Sequence, residues 1–228
     1  EGTLAIANST FAANSGGAGG AIHSTGKLTL GNSILWGNSG RDVESPEFFA
    51  GMWNLIGVDP GFVRNPSDGG DGWRDDPSTT EVNEGANNDY GDLHLTDRSA
   101  AIGYGDNSLL PLDTQDLDGD GDTAETLPLD RDGQPRIFGT AVDIGAFEYQ
   151  GEISPDRETP SLVVTTAADV FDLFDGEISL REAIYYAGTD DLGTTVTFAP
   201  ALDGATILLG SVTLWLDKSV TIDASALS

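Results

Sequence analysis

Seven residues carry the clearest chemical signal in the chain. Asp116, Asp118 and Asp120 occupy positions 1, 3 and 5 of a D-x-D-x-D-G loop, with Gly121 at position 6. Alternation puts the three carboxylates on one side of a tight turn, where hard oxygens can surround a calcium ion. Position 12 is Leu127 rather than Glu, so the loop is no complete EF-hand. Asp122, Glu125, Asp130 or Asp132 must then complete the shell. Such an ion would be structural, ordering a loop with little core of its own; the other reading is an acidic turn that holds no ion. Asp172, Asp175 and Glu177 form a second, sparser candidate. Asp68, Asp71, Asp75 and Asp76 read as solvated turn residues or as another cation cluster.

Catalytic chemistry finds little support, and the chain is not expected to be an enzyme. His23 and His94 are the only histidines. The first follows a Gly-Gly-Ala-Ile turn. The second alternates with Leu93 and Leu95, which places it on the solvent face of a strand. A glycosidase needs two carboxylates about 5–10 Å apart, but among 38 acids any such pair is uninformative. The basic residues, eight Arg and two Lys, form no cluster that would hold an acidic sugar. Trp36, Trp53, Trp73 and Trp215 suit packing, or stacking on sugars.

The elements that must position these residues announce themselves in a repeat. Leu4-Ala-Ile6-Ala-Asn8-Ser9-Thr-Phe11-Ala-Ala-Asn14 returns as Leu28-Thr-Leu30-Gly-Asn32-Ser33-Ile-Leu35-Trp-Gly-Asn38, and 28 − 4, 32 − 8 and 38 − 14 all give 24. A repeat of this size implies a solenoid in which each unit buries its apolar side against its neighbours. Leu4/Ile6 and Leu28/Leu30 alternate with small or polar residues, so the walls are strands. Coils should stack in parallel, about 4.8 Å apart. Asn8 over Asn32 and Asn14 over Asn38 would then form amide ladders at the corners. The expected fold is all-β, a right-handed parallel β-helix (β-solenoid) with a short capping helix and long irregular loops.

Several motifs sharpen this picture. Phe11-Ala-Ala-Asn14 followed by Gly19-Gly20-Ala21-Ile22 resembles the FxxN and GGAI motifs of polymorphic outer-membrane-protein repeats on bacterial surfaces. Further on come Tyr90-Gly-Asp92-Leu-His94-Leu and Ser99-Ala-Ala-Ile102-Gly103. These lead to the Asp116 run, Asp130-Arg-Asp132-Gly-Gln-Pro135-Arg136 and Val142-Asp143-Ile144-Gly145-Ala146-Phe147-Glu148. This order resembles the choice-of-anchor Q domain that ends many bacterial β-helix proteins. It departs at Ile102-Gly103-Tyr104-Gly105, where that family has Ile-Asp-Ala-Gly, so any role of that carboxylate has no residue here. Ser179-Leu180-Arg181-Glu182-Ala183-Ile184 resembles the CSLREA segment that begins a β-helix domain, with Ile178 in place of Cys. Ser179 and Glu182 also form an S-x-x-E capping box. Leu180, Ala183, Ile184 and Ala187 make one apolar stripe of a two-turn helix, able to cover the open end of a solenoid.

The expected organisation is a C-terminal-type β-helix part over 1–148, a connector over 149–160, and an N-terminal-type cap with first coils over 161–228. Within these, 41–88 reads as an irregular excursion with a wall strand near Leu55-Ile56. Thr195–Phe198, Ala205–Leu209, Val212–Leu216 and Ser219–Ile222 read as short wall strands. The tail-type part precedes the head-type part, and Glu1 starts in mid-pattern. The sequence is therefore expected to be an excerpt straddling two units of a tandem chain, or a protomer that docks head to tail into a filament; an arbitrary boundary is the plain alternative.

Charge narrows the partners. With 38 acidic and 10 basic residues the net charge is −28. Phosphate repulsion argues against nucleic acid and disfavours an anionic membrane. No 18-residue apolar run suggests a membrane span, and with no Cys there is no disulfide or thiol chemistry. The function expected is mechanical: a repeat unit of an extracellular or cell-surface fibre, stalk or adhesin, with structural Ca²⁺, copies of itself as partners and surface glycans as targets. The alternative is a carbohydrate-binding or polysaccharide-degrading β-helix.

Overall fold

The computed structural model describes residues 2–17, 19–45, 47–50, 53–69, 88–189, 192–210, 214, 216 and 219–227. It is a β-solenoid of parallel, stacked coils with one α-helix. Among the described residues the first two coils have three walls each and the third has two. The first coil supplies β1 (Thr3–Ala7), β2 (Thr10–Ala12) and β3 (Ile22–His23). The second supplies β4 (Lys27–Gly31), β5 (Ile34–Trp36) and β6 (Val43–Glu44), and the third β7 (Glu47–Ala50) and β8 (Leu55–Ile56). The sheets run β1-β4-β7, β2-β5-β8 and β3-β6, all parallel.

The 24-residue offset governs the first two coils only. Leu4 pairs with Leu28 and Thr10 with Ile34, but Lys27 pairs with Glu47 and Ile34 with Leu55, offsets of 20 and 21. The contraction lies mainly at the corner between the second and third walls. Twelve positions separate Thr10 from Ile22, and nine separate Ile34 from Val43. The Gly-rich turn that carries Gly19-Gly20-Ala21-Ile22 has become the shorter Gly40-Arg41-Asp42-Val43, so its second copy escapes a fixed-period search.

Both amide ladders form. Asn32 donates from Nδ2 to Asn8 Oδ1 (3.1 Å), and Asn14 donates from Nδ2 to Asn38 Oδ1 (3.0 Å). Asn8 and Asn32 adopt left-handed backbone (φ 48° and 47°), a conformation that Asn tolerates better than most side chains. In the third coil the rung moves by one residue: Asn54 accepts the Ser33 N–H at Oδ1 and donates to the Leu30 carbonyl. Inside the coils Leu28, Leu30, Leu35, Val43 and Ile56 form one buried cluster, with Ile6 and Phe11 against it.

The middle sheet is buried on both faces. Leu35 points into the coil, while Ile34 joins a second cluster with Leu55, Ala101, Ile102 and Ile144. This explains why Ile34-Leu35-Trp36 reads as an unbroken apolar run, as strands covered on both sides do. The covering layer is residues 96–148. It holds a short 3₁₀ turn at Asn107–Leu109 and two antiparallel bridges, Leu112–Thr126 and Leu129–Pro135. An antiparallel hairpin, β9 (Phe62–Arg64) with β10 (Asp92–Leu95), leads into it.

Beyond residue 160, β11 (Val163–Val164), β12 (Thr195–Phe198) and β13 (Thr221–Ile222) form a second parallel sheet. Helix α1 (Leu180–Tyr186) packs against β11 and has the complete capping box: Ser179 Oγ accepts from Glu182 N, and the Glu182 carboxylate accepts from Ser179 N. Ile178, at the position where the similar segment has Cys, is buried in the core. The predicted strand over Ala205–Leu209 is absent, since those residues have no ladder and Leu208 and Leu209 face solvent. Much of Val212–Leu216, including Trp215, lies outside the described residues.

The parts before 149 and after 160 share one apolar cluster, which runs from Ile34 through Tyr104 and Ile144 to Ile184, Tyr186 and Val196. Tyr104 meets Tyr185 at 4.8 Å between centroids, Tyr185 donates to the Ala100 carbonyl, and the Arg157 guanidinium lies over Tyr104. Residues 149–160 are tied down as well, by Ser154 N to Asp97 O and by Arg98 to Asp156.

Asn32 is the joint between solenoid and covering layer. Fully buried, it accepts from Asp106 N (2.8 Å) and donates to both Asp106 O (2.9 Å) and Asn8. Asn32→Ala should destabilise the fold by about 2–4 kcal/mol, because it strands buried backbone groups. Urea unfolding measures this, and a loss under about 1 kcal/mol would contradict the assignment.

Candidate functional site

The Asp116–Asp122 loop closes on itself at a narrow neck. Asp113 N donates to Glu125 O and Leu127 N to Pro111 O, which pins the two ends together. The carboxylates converge above that neck. Ligand oxygens of Asp116, Asp118 and Asp120 lie within 4.8 Å of one another, and so do those of Asp113, Asp118 and Glu125. Asp118 belongs to both groups. Asp113 is the member that motif spacing overlooked: it sits three residues ahead of the alternating run and is buried.

The loop is shaped by its own acids. Asp116 has positive φ (53°) and accepts from Gly121 N; Asp118 accepts from Asp120 N, Asp120 from Asp122 N, and Asp122 from Ala124 N. Asp113 accepts from Gln115 N and Leu117 N. Asp118, Asp120 and Asp122 each satisfy the amide two residues on with one oxygen, the usual Asx arrangement, whereas Asp113 uses both of its oxygens. Glu125 Oε1 is buried with no hydrogen-bond partner. Burial, and then the charges of Asp118, Asp120, Asp122 and Asp113, push the Glu125 carboxyl above its ordinary value. A divalent cation suits this donor set: hard carboxylate oxygens on a tight turn, crowded by like charge. Asp113, Asp116, Asp118, Asp120 and Glu125 are the residues that could hold one.

The other predicted ligands are employed elsewhere. Asp122 is outside both convergent groups. Asp130 accepts from Asp132 N, Gln134 N and Glu148 N. Asp132 meets His94 Nε2 at 2.5 Å, while Asp92 meets the Nδ1 of the same ring at 2.5 Å. His94 is half-exposed, as its strand position implied, but it clasps the β9–β10 hairpin to the 130–133 turn and stacks against Phe147. Asp172 accepts from Phe174 N, Asp175 from Glu177 N, and among the described residues they form no convergent group with Glu177. Asp71, Trp73, Asp75 and Asp76 lie outside the described residues; Asp68 lies within them and joins no such group.

The Val142–Glu148 and Asp130–Arg136 motifs build a buried polar hub. Arg136 Nη2 donates to the Asp143 and Gly145 carbonyls and lies 3.4 Å from Asn8 Oδ1. Asp143 accepts from Gly103 N and Tyr149 N; Glu148 accepts from Phe138 N and Asp143 N. Gly145, at φ 105°, donates to Asn32 O, and a Cβ there would come within 2.7 Å of Ile34. Only glycine lets this segment lie so close to the solenoid. No protein-family model, curated protein or solved structure matches the chain.

The hub titrates in an unusual window. Burial raises Asp143 to about 6, and burial together with the Asp143 charge raises Glu148 to about 7. Burial likewise raises Glu158 to about 7. For a carboxyl whose folded value is raised, the folded state binds the proton more tightly, so stability falls as pH climbs through that interval. His94 is raised by its bonds to Asp132 and Asp92, so its contribution is also lost as pH rises through its folded value. The lowered carboxyls Asp89, Asp92, Asp169 and Asp223 lose their contribution only on acidification below the ordinary Asp range. Both raised classes act in the same direction near neutrality. The melting temperature should therefore be higher at about pH 5.5 than at about pH 8, with a decline below about pH 4. Scanning calorimetry across that range checks the sign.

Proposed function

We propose that the chain is a non-catalytic structural unit of an extracellular or cell-surface bacterial fibre, stalk or adhesin, in which copies join head to tail and calcium orders the 113–125 loop. The observation that carries this reading is a pair of uncovered strand edges. Among the described residues β1 pairs only with β4, and β13 only with β12. Both are parallel edges, and each presents an apolar residue to water: Leu4 is 45% exposed and Ile222 47%. Leu208, Leu209 and Leu216, which precede β13 in the chain, are exposed as well. A parallel edge with unpaired amides is a template for another strand. Two such edges on different parts of one chain make a heterologous contact, which propagates when it does not close.

The solenoid suits load-bearing, since stacked coils give a continuous backbone ladder. The acid surface keeps such a rod dispersed. Among the described residues no helix is long and apolar enough to cross a membrane. Two convergent groups of three carboxylates on the 113–125 loop, sharing Asp118, support the calcium component.

Two experiments test this. Light scattering of the purified chain should show mass growing with concentration, and Ile222→Asp should return it to single copies. Monomers throughout would remove the head-to-tail element. Separately, adding a chelator should lower the melting temperature of the wild type and leave Asp118→Asn unmoved. Equal shifts in both, or none in either, would remove calcium from the loop.

A further inference from the structure

We propose that copies of this chain join in a single register: β13 of one copy lies parallel on the free edge of β1 of the next, with Val220 opposite Leu4 and Ile222 opposite Ile6. This deepens the head-to-tail reading and rests on it. The residues of both edges lack the usual guards against pairing. Thr3–Ala7 and Ser219–Ile222 hold no charged residue and no Pro, the devices by which exposed edges are commonly blunted.

The polarity of the two edges comes first. Strand order follows chain order in each sheet, β1-β4-β7 and β11-β12-β13. Among the described residues β1 is therefore free on the edge that looks back along the chain, and β13 on the edge that looks forward. Connections between parallel strands of one sheet are almost always right-handed, so the forward edge lies on the same side in both sheets when seen from the core. A forward edge set against a backward edge continues one parallel sheet, with its apolar face kept on one side. Two β1 edges with their cores on one side can meet only antiparallel, a contact that closes instead of growing.

Side-chain parity narrows the register. Ile222 pairs with Val196, which is fully buried, so it belongs to the inward column. Leu4 and Ile6 pair with Leu28 and Leu30, which are fully buried too. Successive residues of a strand face opposite sides. Ile222 can thus lie opposite Leu4 or Ile6, whereas opposite Ala5 or Ala7 its side chain would turn to solvent.

The corners choose between those two. After β1 the chain turns at Asn8-Ser9, where Asn8 has φ 48° and Ser9 Oγ donates to Ala7 O. After β13 it turns at Asp223–Ser225, where Ser225 N donates to Asp223 Oδ1. With Ile222 opposite Ile6 the two turns coincide. Ser225 then falls opposite Ser9, as Ser9 falls opposite Ser33 one coil on, and Leu227 falls opposite Phe11, which packs on the inner cluster. Sliding Ile222 back to Leu4 would set its turn against the middle of β1 and break the ladder. Val220-Thr-Ile222-Asp-Ala-Ser225 also shares the pattern apolar-x-apolar-x-x-Ser with Leu4–Ser9 and Leu28–Ser33.

The chain has no Cys, so pairs of single-Cys variants report the register directly. Ala5 and Thr221 are both exposed. Residues opposite each other on adjacent strands lie about 4.8 Å apart, within disulfide range, and a slip of two residues moves them to about 8 Å, beyond it. Thr221→Cys is mixed with Ala5→Cys, Thr3→Cys or Ala7→Cys, the two partners tagged to differ in size. About 1 M NaCl screens the repulsion between acidic copies. On mild oxidation Thr221→Cys should form mixed dimers with Ala5→Cys at least about fivefold faster than with the other two. Growth in mass by light scattering without that preference, or Ala5→Cys linking to itself as fast as to Thr221→Cys, would overturn the register while copies still associate. No growth of the wild type and no mixed dimer from any pair would overturn the head-to-tail reading as well, so the two failures are separately visible.

Discussion

Hydrogen bonds from backbone N–H groups to side-chain carboxylates tie down much of the chain outside the coils. Inside the coils, parallel ladders satisfy the backbone. Residues 96–160 have almost no ladder, yet they pack onto the solenoid and bury apolar residues such as Ala101, Val142 and Ile144. Buried amides without partners would be costly. Asp106, Asp113, Asp130, Asp143 and Glu148 accept them instead. Much of the acid excess is therefore a substitute for secondary structure, and charge on the surface is its by-product.

That substitution explains what was legible in the sequence. The solenoid could be read because its determinants are local and periodic: apolar alternation, Asn at the corners, and one offset recurring three times. The capping box was legible for the same reason, since all of its members lie within four residues. The third coil was legible only at its Leu55-Ile56 wall strand, because a corner of the second coil lost three positions and the period broke. The convergent loop was half legible. Alternation reveals Asp116, Asp118 and Asp120, and Glu125 is among the acids expected to complete the shell, whereas Asp113 arrives through the Leu112–Thr126 bridge, which spacing alone does not disclose. Asp130 and Asp132 read as ligands because a carboxylate that binds an ion looks the same in a sequence as one that caps amides, as Asp130 does, or pairs with a histidine, as Asp132 does.

The covering layer is coupled to the coils by a few specific residues and not by area alone. Asn32 answers both polar groups of Asp106, Arg136 reaches Asn8, Thr10 accepts from Ala146 N, and Gly145 admits the close approach. The same ladder residues that stack the coils thus hold the loops. On the far side, tyrosines 104, 185 and 186 and Arg157 carry the apolar cluster on to the α1 segment. The Arg181–Asp169 pair, nearly buried, fixes that helix to the strand-end loop and to Gly210. Such a pair adds little net stability, but losing one member would leave a buried charge.

The carboxylate-capped turns also bear on digestion by proteases. A protease must draw several residues of its target into an extended conformation before it can cut. Arg131, the one basic residue in the 113–135 stretch, lies in a turn where Asp130 holds the amides of Asp132 and Gln134, and its own N–H donates to Ala146 O. Trypsin would have to pull those bonds apart at an otherwise exposed bond, so a stretch that looks like an open loop is armoured against cleavage.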